Sequence, residues 1–593
     1  MKIYLFSDFS GHNIGGMEIH QEALLKYYPD TILFVKDDGI TAYCNGIKNG
    51  YFRDMDGLSD YISSDNEKKR IFFFNNMSWL TDIKSLRENF HDDVFIMRSG
   101  GNDIYKALNK TNIKTLKKKL SVTADIINNY IDRLIINSDY SYFRNIDIGI
   151  IPRKMIKIRG GADTVNMEER TQMRKYIDQK YGTYEKKILV IASRFVPFKG
   201  IPEFIDSFAA DSVNKQYHLF VIGEGVQKSL ILEKLKNKLN SGNWTYFGKK
   251  SNAETLKLIS AADLFVNPSL EYHEHYNDGI FIHTETMGRG MMEAIMQGIP
   301  VLAFDSGGTA ELFYENSRIG CLANDYKDMM KYLSEFASKG YMQLSETDYS
   351  WNTLFKKYDE LFDSLMNPKK VPYIFALDYD GTIKTDYCSE EDISNIMKNC
   401  SHTFICITAR SKEEAVPLLD VLPFRFVVYE NGAGISSSNG KKIYWNKLAT
   451  EEKKKGYTEH ILEKLQKIVE CKQTHPFTIH LKKDTMPSET MNMINEIIGD
   501  MPFQIIESQK FIKIQHKIFN KKSALDYILK DIGCTFTVGA GNGLNDVDFV
   551  MSCDIGFMDS KLIKSISCEN DKIIPFEKDE AGIKLLEKII SMK

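Results

Sequence analysis

The chain has no Cys-x-x-Cys pair and no cysteine set at zinc spacing, although it carries nine cysteines among 593 residues. Seven of them fall after residue 380, at 388, 400, 406, 471, 534, 553 and 568. Cys406, within Phe404-Ile405-Cys406-Ile407, reads as a small buried apolar residue. The pattern suits a reducing cytosol. No apolar run reaches the length of a membrane span. The opening run Met1-Lys2-Ile3-Tyr4-Leu5-Phe6 has the length of a strand and is too short for a signal peptide. The expected location is cytoplasmic, with no transmembrane segment and with peripheral membrane contact left open. Neither sign of charge dominates, since net charge is −3, which argues against nucleic acid or an anionic membrane as a wholesale partner. The runs Lys117-Lys118-Lys119 and Lys453-Lys454-Lys455 read as solvated helix faces. Internal repeats and low-complexity tracts are also missing.

What is present is an ordinary soluble balance, 43% hydrophobic and 26% charged residues, in a chain long enough for roughly three or four compact units. Short apolar runs alternate with helix-length amphipathic stretches, which predicts parallel α/β sheets. Strands are expected at Lys2–Phe6, Thr31–Val35, Arg70–Phe74, Asp93–Met97 and Arg133–Ile136. A second series is expected at Lys187–Ala192, His218–Ile222, Trp244–Phe247, Leu264–Val266 and Val301–Ala303. Tyr181-Gly182-Thr183-Tyr184 reads as a hinge between the series. Asn367-Pro368-Lys369-Lys370-Val371-Pro372 reads as a linker, and the helix Trp351 to Leu365 closes the unit before it.

Past the linker, Tyr373-Ile374-Phe375-Ala376-Leu377 leads into Asp378-Tyr379-Asp380-Gly381-Thr382. A buried strand ending in two carboxylates one residue apart places both at the carboxyl edge of a sheet, where α/β proteins bind ligands. One can attack phosphorus while the other moves a proton. Thr408 follows the expected strand Thr403–Ile407 and offers a hydroxyl. Lys521, in Asn520-Lys521-Lys522-Ser523, offers a positive charge. Gly541-Asn542-Gly543-Leu544-Asn545-Asp546 follows a strand expected at Thr535–Gly539 and brings side-chain oxygens suited to a magnesium shell.

Upstream, Gly15-Gly16-Met17-Glu18 opens a helix after the first strand, where a phosphate or sugar can approach backbone amides. The same glycine turn also serves purely structurally. Arg194-Phe195-Val196-Pro197-Phe198-Lys199-Gly200 places two cations just past a strand end, able to clamp a diphosphate or to stand as surface charges. Glu285-Thr286-Met287-Gly288-Arg289-Gly290-Met291-Met292-Glu293 sets one carboxylate before a helix and one within it, and Ser306-Gly307-Gly308-Thr309 follows.

The ordered set Gly15-Gly16, Arg194…Lys199-Gly200, Gly223-Glu224-Gly225, Pro268-Ser269-Leu270, Glu285…Glu293 and Gly307-Gly308 resembles the retaining, GT-B-fold glycosyltransferases (family 4-like) over roughly residues 1–365. That resemblance implies an α/β fold of two Rossmann-like halves around a cleft, here 1–183 for the acceptor and 184–366 for a nucleotide-sugar donor. It implies donor contacts from Gly15, Gly16, Arg194, Lys199, Glu293, Gly307 and Gly308, with Glu285 at the donor sugar and no metal in this domain. The connection Glu271-Tyr272-His273-Glu274-His275-Tyr276-Asn277-Asp278-Gly279 is longer than usual in the family and reads either as an acceptor-facing loop or as a metal site. Arg98-Ser99-Gly100-Gly101-Asn102-Asp103 and Arg159-Gly160-Gly161-Ala162-Asp163 are acceptor-side candidates.

Residues 372–593 resemble the haloacid dehalogenase (HAD) superfamily, in its Cof and sucrose-phosphatase-like branch, on Asp378-Tyr379-Asp380-Gly381-Thr382, Thr408, Lys521, Asp546 and Glu430-Asn431-Gly432-Ala433. That implies a Rossmannoid core at 372–433 and 511–593 with an α/β cap at 434–510. It further implies Asp378 as nucleophile, Asp380 as acid/base, and Mg²⁺ held through Asp378, Asp380, Asn542 and Asp546. The family's first metal-binding aspartate in the last motif is Asn542 here, which still offers a carbonyl oxygen but no charge and so implies a lower metal affinity. The expected whole is a bifunctional enzyme that transfers a sugar from a nucleotide-sugar to a phosphorylated acceptor and then hydrolyses a sugar phosphate. Two alternatives stay open. One is a surface-polysaccharide glycosyltransferase whose HAD domain acts on a separate precursor; the other has a non-catalytic, phosphosugar-sensing HAD domain.

Overall fold

The computed structural model describes residues 1–8, 15–65, 67, 69–101, 113–276, 279–316, 318–340, 348–367, 373–482, 490–507, 511–533, 536–566 and 570–591. The candidates Asn102, Asp103, Asn277 and Asp278, the linker residues 368–372 and Thr535 lie outside it. The described residues form two compact units, Met1–Met366 and Asn367–Lys593.

The first unit contains two α/β layers. One sheet runs in the order Ile47–Phe52, Ile40–Cys44, Ile32–Lys36, Lys2–Ser7, Arg70–Phe74, Val94–Arg98, Arg133–Ile136 and Met155–Lys157. Its pairings are parallel from Ile32–Lys36 onward, and an antiparallel meander forms one edge. Tyr4, Leu5 and Phe6 are all buried in the central strand, as a strand covered on both faces requires. The second sheet is parallel, ordered Trp244–Gly248, Tyr217–Ile222, Lys187–Ala192, Leu264–Asn267, Val301–Phe304 and Gly320–Ala323.

The chain passes between these halves earlier than the hinge expected at 181–184. Residues 167–181 form one helix whose C-cap, Gly182, has φ 62°, so the glycine ends a helix instead of separating two halves. Ile177 of that helix packs with Ile188 and Val190, and Arg174 pairs with Asp263 at 2.8 Å. The helix thus belongs with the second half. The opposite correction applies at the end of the unit. Helix Trp351–Met366 packs on the first half: the Tyr358 hydroxyl meets His20 Nε2 at 3.0 Å and Tyr28 donates to Asp359 at 2.8 Å. Lys69 donates to the carbonyls of Leu365 and Met366, satisfying the open C-terminal end of that helix.

In the second unit the core sheet is ordered Gly434–Ser437, Phe424–Tyr429, Thr403–Ile407, Ile374–Leu377, Thr537–Gly541, Ile555–Asp559 and Ile573–Phe576. A separate antiparallel sheet, Cys471–His475, Thr478–Lys482, Phe511–His516 and Phe503–Glu507, packs Ile479, Leu481, Ile512 and Ile514 beneath Ile461, Leu465, Ile494 and Ile498. The cap expected over 434–510 therefore shifts at both ends. Gly434–Ser437 pairs with the core strand Phe424–Tyr429, and Phe511–His516 is a cap strand paired with Thr478–Lys482.

Candidate active sites

Three neighbouring parallel strands deliver the C-terminal cluster. Ile374–Leu377 lies between Thr403–Ile407 and Thr537–Gly541, so Asp378, Thr408 and the loop 542–546 emerge at one sheet edge. Lys521 Nζ bridges the carboxylates of Asp378 (3.0 Å) and Asp546 (2.6 Å), with all three side chains buried. Thr382 donates to the other oxygen of Asp378 at 2.9 Å. Burial, and next the negative charge of Asp546, push the Asp378 carboxyl up to about 7 despite Lys521. Burial disfavours the Lys521 ammonium, yet the two carboxylates outweigh it and raise its pKa. The set is thus short of positive charge. Asp546 Oδ2 also accepts the backbone N–H groups of Asn542 and Gly543. Asn542 Nδ2 donates to the Asp380 carbonyl at 3.2 Å, which puts a side-chain amide beside a backbone oxygen. Thr408 is buried and its hydroxyl accepts the Arg410 N–H at 3.1 Å.

Asp380 is held from outside this cluster. Arg410 donates to both its oxygens, at 2.8 and 2.6 Å, in the forked geometry that makes guanidinium–carboxylate pairs specific. The turn Glu430-Asn431 adopts left-handed backbone, φ 50° and 54°. Gly432 follows at φ 99°, where a Cβ would lie 2.2 Å from the Asn520 backbone. Only glycine lets this turn seat against the N-cap of helix Lys521–Ile532, and Asn431 accepts from Asn545 at 2.9 Å. The turn thereby braces both the lysine and the 542–546 loop.

In the first unit, Lys199 forms an ion pair with Glu285, and both side chains are largely buried. Burial favours the neutral acid, but Lys199, the Gly288 N–H and Arg194 outweigh it and hold the Glu285 carboxyl below its usual range. Arg194 itself is exposed. Glu293 lies on the helix Arg289–Met296 and pairs with Arg289 at 2.9 Å. Burial raises its carboxyl, Arg289 opposes this and Asp163 adds to it. Gly16 opens the helix Gly16–Tyr27 after Gly15, and a Cβ on Gly16 would stand 3.6 Å from Arg289 Cδ. Gly307 and Gly308 fit under the loop before that helix, since a Cβ on Gly308 would lie 1.9 Å from the Thr286 carbonyl.

Two family models match the chain. Residues 173–347 match the glycosyl transferases group 1 model, and residues 375–473 match the haloacid dehalogenase-like hydrolase model. The chain joins a glycosyltransferase to a hydrolase. No protein with a curated description matches it. Among solved structures, it is similar to Anabaena HepE in complex with UDP, at 16% identity over 61% of this chain and 100% of that one, TM-score 0.47. Sucrose-phosphate synthase from Thermosynechococcus elongatus is similar at 16% identity over 62% and 100%, TM-score 0.46. S. aureus TarM is similar at 18% identity over 56% and 62%, TM-score 0.37.

In the hydrolase module, Asp378, Lys521 and Asp546 are in direct contact, with Asp380, Thr408 and Asn542 at the same edge. Sequence reasoning missed the role of Thr382 as a partner of Asp378 and missed Arg410, although Arg410 stands two residues past Thr408. In the transferase module, Arg194, Lys199 and Glu285 gather at one place, whereas Glu293 sits with Arg289 and Asp163. Arg289 was legible in principle, four residues before Glu293 on one helix face. Three further placements bear on the site. The Gly308 N–H is taken by the Glu285 carbonyl at 2.9 Å, so it is not an exposed amide. Arg159 is buried in ion pairs with Glu311 and Glu315, both at 2.8 Å, and holds the two halves together instead of meeting an acceptor. The long connection forms a hairpin, Tyr272–Tyr276 with Gly279–His283, in which Glu274 pairs with His283. Among the described residues no group of three or more His, Cys, Asp or Glu is arranged to hold a metal. Nor is any described helix long and apolar enough to cross a membrane.

Proposed function

We propose that the chain carries out two reactions, glycosyl transfer from a nucleotide-sugar to a phosphorylated acceptor and Mg²⁺-dependent hydrolysis of a sugar phosphate. The observation that carries the second reaction is the buried bridge Asp378–Lys521–Asp546 at one sheet edge. An Asp378 oxygen attacks phosphorus, the bond from phosphorus to the sugar oxygen breaks, and Asp380 supplies the proton that the leaving alkoxide needs. Water then attacks the aspartyl-phosphate, gives its proton to Asp380 and releases phosphate. Lys521 and Thr408 meet the phosphoryl oxygens. For Asp380 to exchange protons, the Arg410 fork must open.

Two carboxylates short of positive charge, an amide side chain at Asn542 and the Asp380 carbonyl form an oxygen donor set that suits a hard divalent cation. Asp378, Asp546, Asn542 and the Asp380 carbonyl would hold Mg²⁺, which supplies positive charge to the phosphoryl group. For the transfer step, Arg194 and Lys199 are poised for the diphosphate, Glu285 for the donor sugar and Glu293 for the ribose. A diphosphate entering there competes with Glu285 for Lys199. Hydrolysis removes the product of a reversible transfer, so the coupled sequence runs forward.

The test uses the full chain and two variants. With a nucleotide-sugar, a phosphorylated acceptor and Mg²⁺, Asp378→Asn accumulates the phosphorylated glycoside and loses phosphate release by at least about 10³-fold. Lys199→Ala loses nucleotide diphosphate release by about 10²-fold or more and keeps sugar-phosphate hydrolysis. Wild-type protein that hydrolyses no sugar phosphate, or Asp378→Asn that hydrolyses as well as wild type, overturns the reading.

A further inference from the structure

The cap sheet has one face packed under its helices and one face turned away from them, because side chains alternate along a strand. Pairing register aligns part of that second face in two rows, in which Thr478 and Gln515 are buried. One contains Lys472, His480, Lys513 and Ile506; the other contains His475, Thr478, Gln515 and Gln504. Neither row holds a carboxylate. This face addresses the aspartate site, since Lys513 lies in electrostatic range of Asp546, Asp548 and Lys521, and His475 in range of Lys521 and Lys513.

One ring nitrogen on this face is orphaned: His480 Nε2 is buried without a hydrogen-bond partner. Among the described residues no carboxylate forms an ion pair with Lys513, although the side chain is largely withdrawn from water. Burial lowers the Lys513 ammonium to about 8, which leaves it mostly charged at neutral pH. Burial also keeps His475 and His480 neutral there, so each offers one N–H donor and one acceptor nitrogen. A desolvated ammonium beside an orphaned ring nitrogen is costly unless an anion completes it. The scissile phosphoryl group already has Lys521 and Thr408 on the floor of the site.

We propose that the leaving group hydrolysed from Asp378's substrate carries its own anionic group, a carboxylate or a second phosphate, and that Lys513 and His480 on the cap receive it. This rests on the phosphatase reading given above and goes further by naming the substrate class.

The test measures phosphate release by the full chain with Mg²⁺ from three probes: glucose 6-phosphate, 6-phosphogluconate and fructose 1,6-bisphosphate. Wild type is expected to favour at least one anionic probe over glucose 6-phosphate by about tenfold or more in kcat/KM, and the probe favoured tells carboxylate from phosphate. Lys513→Met should erase that preference mainly through KM, with kcat/KM for the favoured anionic probe falling about tenfold more than that for glucose 6-phosphate, while Lys513→Arg should retain the preference. If Lys513→Met melts earlier than wild type, His480→Asn provides the second reading, with a smaller loss confined to the same probe. Equal hydrolysis of all three probes overturns the anionic-substrate proposal and leaves the phosphatase standing. Preference that survives Lys513→Met also overturns it. Hydrolysis of none of the probes overturns both readings.

Discussion

Arg159 brings a guanidinium into a nearly dry site between the two halves of the transferase module, where Glu311 and Glu315 both accept from it. Removing it leaves two buried carboxylates facing each other, with Lys157 the cation near Glu315 at 3.6 Å. Arg159→Ala is expected to destabilise the first unit by about 3–5 kcal/mol, read by denaturant unfolding. Gly308 sets a second, sharper limit. A methyl group there would lie 1.9 Å from the Thr286 carbonyl, so Gly308→Ala must displace the loop carrying Glu285. Nucleotide-sugar turnover should fall by about 10²-fold or more, with phosphate release by the second unit unchanged in the same preparation. The sequence offered the right residue types here and the wrong partners. Arg159 and Glu311 are 152 positions apart, and nothing in local spacing couples residues at that range. By contrast, Asp378 was legible as the carboxylate that ends an apolar strand, and Lys521 and Asp546 through the spaced motifs of the HAD resemblance.

At the scale of elements, continuous apolar runs were the readable signal. Arg70–Phe74 and Thr403–Ile407 fall where their runs predict, because strands covered on both faces tolerate few polar residues. Ile47–Phe52 gave no such signal, since it is an edge strand with most side chains in water. Helix Trp351–Met366 was readable as a helix and unreadable as a crossover, because its apolar face does not state which half it will cover. Tyr358, fully buried, packs there against His20, Phe73, Phe355 and Phe362. Tyr358→Ala is expected to cost about 3–5 kcal/mol, seen as a lower midpoint for the first unit, and Tyr358→Phe far less.

For the whole molecule, acidity is the informative variable. Burial lowers His218 from 6.5 to about 4, and lowers His20 well below its usual value. Below pH 6.5 the unfolded chain takes up protons that these folded sites refuse. The stability these two histidines contribute is therefore full above about 6.5 and is lost as pH falls toward about 4. Thermal melts of wild type and His218→Gln from pH 7.5 to 4.5 should differ by this slope, the variant losing less stability on acidification. Two compact units in one chain also make a single two-state transition unexpected.

The strand Phe511–His516 ends just ahead of the helix that begins at Lys521. Asn520 clasps the intervening turn, donating to the carbonyls of His516 and Lys517 while its side-chain oxygen caps the helix at Ser523. The lid and the ammonium on the floor are thus hinged through four residues with almost no slack. If the cap receives the substrate as proposed, a molecule seated against it would pull on the same short tether that positions the charge below it, and recognition and reactivity would share one mechanical joint.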